Sequence, residues 1–246
     1  MVQQSAGAKK KQLILDVCKK LFYEKGYSKT TYEDICKAAD IPPGTITYHF
    51  DGKRDIAAAI DAEYERENKT YIEKMCGSLY SKTDLMVIEN FHMWKRIYED
   101  EHIRRFLLDL SADKLPNASA IETIRYFYRC VMEDQGITSI DDRELELIAS
   151  CQVGMSDGIL NAMEHSGFDY TYEESAEFGI RFFMRQLGMS DEIIKRYIKR
   201  GKSIFASLPI DNRYYAEFAY DDKYVTVLPG AFPEDEEATT ASGTPA

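Results

Sequence analysis

Apolar residues recur at helical spacing along most of the chain. Between residues 10 and 25, Ile14, Val17, Cys18, Leu21 and Phe22 fall at i, i+3, i+4, i+7 and i+8, the stripe of an amphipathic helix. Gly26 follows as a C-terminal stop. Thr31-Tyr32-Glu33-Asp34 sets an acid three residues after a threonine, a capping-box pattern that opens a short helix through Ala39. Ile35, Ala38 and Ala39 are predicted to face inward. Asp40-Ile41-Pro42-Pro43 breaks this helix, because proline disfavours helix in the residue before it. Pro43 itself is acceptable in the first turn of a helix running to about Phe50. Asp51-Gly52 ends that helix, and a long one starts near Lys53.

The remainder is also helical by periodicity. Helices are predicted over 53–78, 84–100, 102–115 (halted by Pro116), 118–134, 142–165 and 173–187, with a last one capped by Ser190 and running to about Ala206. No alternation typical of strands persists before residue 206. The chain therefore reads as all-α in two domains. Residues 1–55 hold three helices, the middle two forming a helix-turn-helix around Leu21, Phe22, Ile35, Ala39, Ile41, Ile46 and Phe50. Residues 56–208 form a larger helical domain. Residues 209–246 are a C-terminal extension in which YVTVL at 224–228 can form a strand. From Pro229 onward the acidic, Pro/Gly/Ser/Thr-rich composition reads as disordered.

Charge changes the picture more than bulk composition does. The net charge of −11 argues against a nucleic-acid partner, but it is unevenly spread. Residues 1–54 carry 10 Lys/Arg against 6 Asp/Glu, and the remaining 21 Lys/Arg face 36 Asp/Glu. A basic end on an acidic body can turn that end toward a polyanion, although a solvated lysine-rich tail would give the same count. The apolar runs fall short of the roughly 20 residues a membrane span needs, and MVQQSAGAKKKQ lacks the apolar stretch of a secretory signal. Five scattered cysteines (Cys18, Cys36, Cys76, Cys130, Cys151) point to a reducing cytoplasm rather than a disulfide framework. The histidines (His49, His92, His102, His165) share no metal-ligand spacing, and His165 suits a helix C-terminus. No GxSxG, P-loop or glycine-rich dinucleotide turn is present. No enzyme activity, metal or cofactor is expected.

Phe22, Gly26-Tyr27, Thr30-Thr31, Ile35, Ala38-Ala39, Ile41, Gly44-Thr45, Tyr48-His49-Phe50, Lys53 and Ile56 together resemble the DNA-binding domain of TetR-family transcriptional regulators, over residues of about 10–60. The resemblance implies a recognition helix at 43–50 entering the major groove of double-stranded operator DNA. Gly44 would allow close backbone approach, and Thr45 and Thr47 would meet base edges or phosphates. Tyr48 and His49 would contact the backbone or a thymine methyl. Thr30 and Thr31 would touch phosphate at the start of the preceding helix. Lys53, with Arg54 beside it, opens a helix whose dipole disfavours cations there. A phosphate sharing the site would resolve that conflict. Pro42 departs from the family pattern by removing a side-chain cap, and Arg54 stands where an acid is common.

The resemblance also implies a homodimer, most simply a repressor released by a small apolar or aromatic effector. An activator, a helical interaction protein and a helical enzyme are the alternatives. Phe91, Trp94, Tyr98, Phe106, Tyr126, Phe127, Met132, Met155 and Met163 are candidates to line the effector pocket, since 17 Tyr, 12 Phe and 9 Met exceed what a plain bundle needs. Ordinary core packing gives the same spacing. Gly154 and Gly158 lie one turn apart in 142–165, each costing about 1 kcal/mol against Ala. Close approach of another helix would offset this cost. With Phe178, Phe182 and Phe183 on the next helix, they are the candidate dimer interface, and packing within one chain is the alternative.

Overall fold

The computed structural model describes residues 6–113, 118–167 and 169–209, and these contain ten α-helices and no strand. In order they are α1 (Ala6–Glu24), α2 (Tyr32–Ala39), α3 (Pro43–His49), α4 (Lys53–Cys76), α5 (Lys82–Glu99), α6 (Glu101–Ala112), α7 (Ala118–Gln135), α8 (Asp142–His165), α9 (Tyr172–Gln186) and α10 (Asp191–Ser207). Capping boxes start α2 (Thr31 with Asp34), α5 (Ser81 with Asp84) and α9 (Thr171 with Glu174). Gly26 ends the α1 turn with φ +98°, a conformation in which a Cβ would be strained. Pro116, the 224–228 stretch and the tail from Pro229 lie outside the described residues.

Two hydrophobic cores divide the molecule. The first joins Ile14, Cys18 and Phe22 of α1 to Ile35, Ile46 and Phe50, then continues into Ile56, Ala57, Ile60 and Tyr64 of α4 and Ile103, Phe106 and Leu110 of α6. This core, the head of the molecule, reaches past residue 55 into the first three turns of α4. Ala38, expected inside, is exposed, and Leu21 is only partly covered. The second core is built on α5, which is buried on nearly every side and packs against α4, α7, α9 and α10. Two helix-interior glycines permit this. A Cβ at Gly201 of α10 would overlap Val87, and one at Gly179 of α9 would lie 3.4 Å from Asn90 Oδ1 and 3.8 Å from Trp94 Nε1.

Candidate functional site

The first candidate surface is α3. Ile46 is fully buried and Phe50 nearly so, which fixes the short helix on the head core and leaves its other side outward. Gly44, Thr47 and Tyr48 are exposed, while Thr45 and His49 are partly so. Tyr48 is 82% exposed and meets the His49 ring edge-on at 4.9 Å. Nothing lies within 4 Å of a Cβ at Gly44, so its space is open toward solvent. Thr47 donates its hydroxyl to Gly44 O at 3.2 Å, leaving the oxygen and methyl outward. Pro42 stands at the N-cap without a side-chain cap, as the sequence implied.

Two expected phosphate contacts are differently placed. Thr30 is 2% exposed, and its hydroxyl donates to Gly26 O at 2.7 Å. Its side chain closes the turn between α1 and α2 and is turned away from any phosphate. Thr31 is exposed, but its hydroxyl donates to Asp34 and accepts from the Asp34 N–H. Lys25 pairs with the same carboxylate, and with the Thr31 bonds it holds Asp34 well below the usual carboxylate range. The Lys53 ammonium donates to Tyr27 O at 2.8 Å and Thr30 O at 3.0 Å, 4.5 Å from the Tyr27 ring centroid. Those carbonyls are negative partners in the protein itself for a cation at an unfavourable helix end. Arg54 likewise reaches Asp113 O, at the end of α6.

Helix α6 packs against α1 on one side and against α5 and α8 on the other. Phe106 stacks on Phe22 with centroids 6.0 Å apart. Tyr27 donates to Asp113 at 2.8 Å, Tyr23 to Asp100 at 2.9 Å, and the Ser28 N–H to Asp109 at 3.1 Å. Arg105 donates to Tyr23 O. Phe106 is therefore a joint between the two parts, and it does not line a pocket.

A cavity of about 150 Å³ lies on the other side of α6. Leu107, Leu110 and Ser111 of α6 close it, with Trp94, Phe127, Phe183, Met86 and Met93 from neighbouring helices. Of the aromatic candidates, Trp94 and Phe127 line it. Phe91 is packed on Phe205 at 6.0 Å, Tyr98 bonds Ser175 at 2.7 Å, and Tyr126 is exposed with the Lys69 ammonium 3.5 Å from its ring centroid. Met155 reaches toward α9, its Cε 3.7 Å from where a Cβ at Gly179 would stand, and Met132 and Met163 pack on the main core. The periodicity of the sequence does not reveal the polar lining, which comprises Asp61, Glu65, Glu89, Asn90, Gln152 and Asp157 with the hydroxyls of Ser111, Thr123 and Ser156. Its one available signal lay in α4, where Asp61 and Asn68 interrupt the stripe of Ala57, Tyr64, Tyr71 and Met75. Burial raises the Asp61 pKa to about 7, aided by the charge of Asp157. Burial also raises Glu65 to about 8, aided by Asp61 and opposed by Arg96.

On α8, Gly154 and Gly158 are exposed and a Cβ at either meets nothing within 4 Å, so close packing within one chain does not explain them. Phe178 is 51% exposed and Phe182 partly so, whereas Phe183 is buried against Tyr128 with centroids 3.8 Å apart.

Comparison with known proteins accords with this geometry. Residues 14–60 match the model of the bacterial regulatory proteins of the tetR family. The N-terminal helices are thus similar to the DNA-binding domain of that family. The chain is 46% identical over 103 residues to the IcaR negative transcriptional regulator of the biofilm operon icaADBC of Staphylococcus aureus, covering 42% of this chain and 46% of that protein. The Staphylococcus epidermidis IcaR is 44% identical over 46 residues, covering 19% and 25%. The chain thus spans about half the length, or less, of the curated relatives it matches. RolR in complex with resorcinol shares the fold over 79% of this chain and 95% of its own, at 15% identity and a TM-score of 0.59. RolR without ligand does so over 76% and 95%, at 14% identity and 0.57. No helix among the described residues is long and apolar enough to cross a membrane, and no group of His, Cys, Asp or Glu among them could hold a metal ion.

Proposed function

We propose that the protein is a cytoplasmic repressor that binds a palindromic operator in double-stranded DNA as a homodimer, and that a small molecule in the cavity releases it. The observation that carries this reading is the position of α6, which walls the cavity on one side and holds the head through Phe106, Asp109 and Asp113 on the other. A ligand that favours one placement of α6 would bias the placement of α3. Such coupling requires unequal affinity for the two states. The negative regulator IcaR supports the repressor assignment, and the resorcinol complex of RolR supports a ligand-responsive body.

Thr45, Thr47, Tyr48 and His49 would meet the major groove from α3, with Gly44 allowing close approach and Thr31 near phosphate. Gly154 and Gly158, with Phe178 and Phe182, supply a surface a second copy can cover. Selection of bound DNA from a random library tests the reading: a palindrome with one half-site per head is expected, and a non-palindromic or absent consensus would overturn it. The double variant Gly154→Leu, Gly158→Leu tests the dimer. Sedimentation should show helical monomers with lost affinity for the full palindrome, whereas a dimer of unchanged strength would move the interface elsewhere.

A further inference from the structure

We infer that the cavity takes a protonated arylalkylamine, a single aromatic ring bearing an ammonium held by Asp61 and Asp157. This rests on the reading of the cavity as the effector site and names the chemical class of the effector. Among the described residues, the cavity lining holds four carboxyl groups and no lysine or arginine, beside the hydroxyls of Ser111, Thr123 and Ser156 and the amides of Asn90 and Gln152. Four carboxylates on three helices line it, Asp61 and Glu65 from α4, Glu89 from α5 and Asp157 from α8. Three of them meet repulsion from a neighbour: Asp157 on Asp61, Asp61 on Glu65, Glu65 on Glu89. Among the described residues no lysine or arginine forms an ion pair with any of the four. Lys69 and Arg96 act at a distance on Glu89 and Glu65, Asn68 donates to Glu89 at 3.2 Å, and Ser111 donates to Asp157.

A second observation points the same way. Gln152, 6% exposed, presents its side-chain oxygen in the lining without a hydrogen-bond partner, and the Asn90 oxygen is likewise buried and unpartnered. Burying an unpaired acceptor is costly, so a donor-bearing ligand recovers free energy here that an apolar one cannot. An anion would meet acidic groups and no lysine or arginine in the lining to hold it. A metal ion does not suit, because no three of these groups converge on one point. The walls decide the rest of the molecule. Trp94, Phe127 and Phe183 line the cavity, and aromatic rings attract a cation or a stacking partner. A volume of about 150 Å³ matches the engineered apolar cavity known to admit benzene, which is one ring.

An ammonium between Asp61 and Asp157 would favour their ionised forms. Since the Asp61 pKa is raised to about 7, binding near pH 7 should release protons to the buffer. The test is titration calorimetry on the full chain with three isosteric probes, 2-phenylethylamine, 2-phenylethanol and phenylacetate, in buffers of different ionisation enthalpy. The amine should bind about tenfold or more tightly than the alcohol, with net proton release, and the acid should not bind. In Asp61→Asn and Asp157→Asn, circular dichroism should be unchanged. There the amine should lose about tenfold or more while the alcohol stays within about twofold. Equal or tighter binding of the alcohol or the acid, amine binding that survives both substitutions, or no binding of any probe at millimolar concentration would overturn the proposal. Amine binding as expected with no change in operator affinity would uphold the cation class and overturn ligand release. Operator release by a neutral compound that competes for the cavity would do the reverse.

Discussion

The head and the cavity treat polar groups in opposite ways. In the head, Lys25 meets Asp34, Lys53 meets two carbonyls, Arg54 meets Asp113 O, and Tyr23 and Tyr27 each donate to a carboxylate. In the cavity, Asp61, Glu65, Glu89 and Asp157 crowd together while the Gln152 oxygen has no partner. A surface that must present α3 in one orientation gains from satisfied bonds that fix its support. A receptive site gains from the reverse, since groups left unsatisfied in the empty protein are available to a ligand. Helix α6 borders both regions, so the contrast can be broken from either side.

The largest effect is expected at the joint. Phe106 is fully buried between α6 and Phe22, and Phe106→Ala should cost about 3–5 kcal/mol in denaturant unfolding, with the head loosened first. Operator affinity should fall with it, while affinity for the cavity ligand should change little. A loss below about 1 kcal/mol accompanied by weaker ligand binding would instead return Phe106 to the pocket.

The cavity carboxylates should make the empty protein less stable as pH rises. An acid with a raised folded-state pKa keeps its proton in the native state where the unfolded chain has released it. Stability therefore falls with rising pH between the ordinary Asp value of 3.8 and about 7 for Asp61. Asp61→Asn removes that loss. It should stabilise the ligand-free protein by about 2–4 kcal/mol at pH 8 and have almost no effect at pH 4, as thermal unfolding would show. A variant less stable than the parent at pH 8 would mean that Asp61 is paired in the native protein.

How far these regions were legible in the sequence differs for the same reasons. The head helices follow from local signals such as the Thr31 capping box, the Pro42-Pro43 break and the Gly26 stop, each of which acts within a few residues. Thr30 was misjudged because its direction depends on a turn that folds its hydroxyl onto Gly26. In the body, core and pocket aromatics share one periodicity. Trp94 and Phe127 therefore could not be told from Phe91, Tyr98 or Tyr126 until the helices were placed around α5. The glycines make the same point. Gly154 and Gly158 drew notice by their spacing, yet Gly179 and Gly201 are the ones against which other helices close. Asp61 was visible as a polar residue in an apolar stripe, but Asp157 joins it only through tertiary packing.

A pair of threonines in the head sharpens the comparison at smaller scale. Thr47 is exposed on α3, and Thr30 is buried in the turn between α1 and α2. Thr47→Ala should change preference among bases by about 1–3 kcal/mol in competition binding. Thr30→Ala should lower stability by about 1 kcal/mol and leave base preference alone. A uniform loss of affinity for Thr47→Ala would make that residue a support for α3 and not a reader of bases.

The smallest effect expected, and the most discriminating, concerns Lys53. Two of its three N–H donors are committed to the carbonyls of Tyr27 and Thr30, which ties the start of α4 to the turn between α1 and α2. A phosphate can engage only the donor that is left, since the Lys53 backbone N–H at the start of α4 itself donates to the Tyr32 hydroxyl at 2.8 Å. Both roles are electrostatic, but they respond differently to salt. A bond inside the protein releases no DNA counterions, whereas a phosphate contact releases about one per site. Lys53→Ala should therefore lower affinity equally for all sequences and reduce the slope of log affinity against log salt by about one per protomer. An unchanged slope with a lower melting temperature would confine Lys53 to the clamp. The conflict between its charge and the helix dipole would then be resolved by the protein's own carbonyls, without DNA.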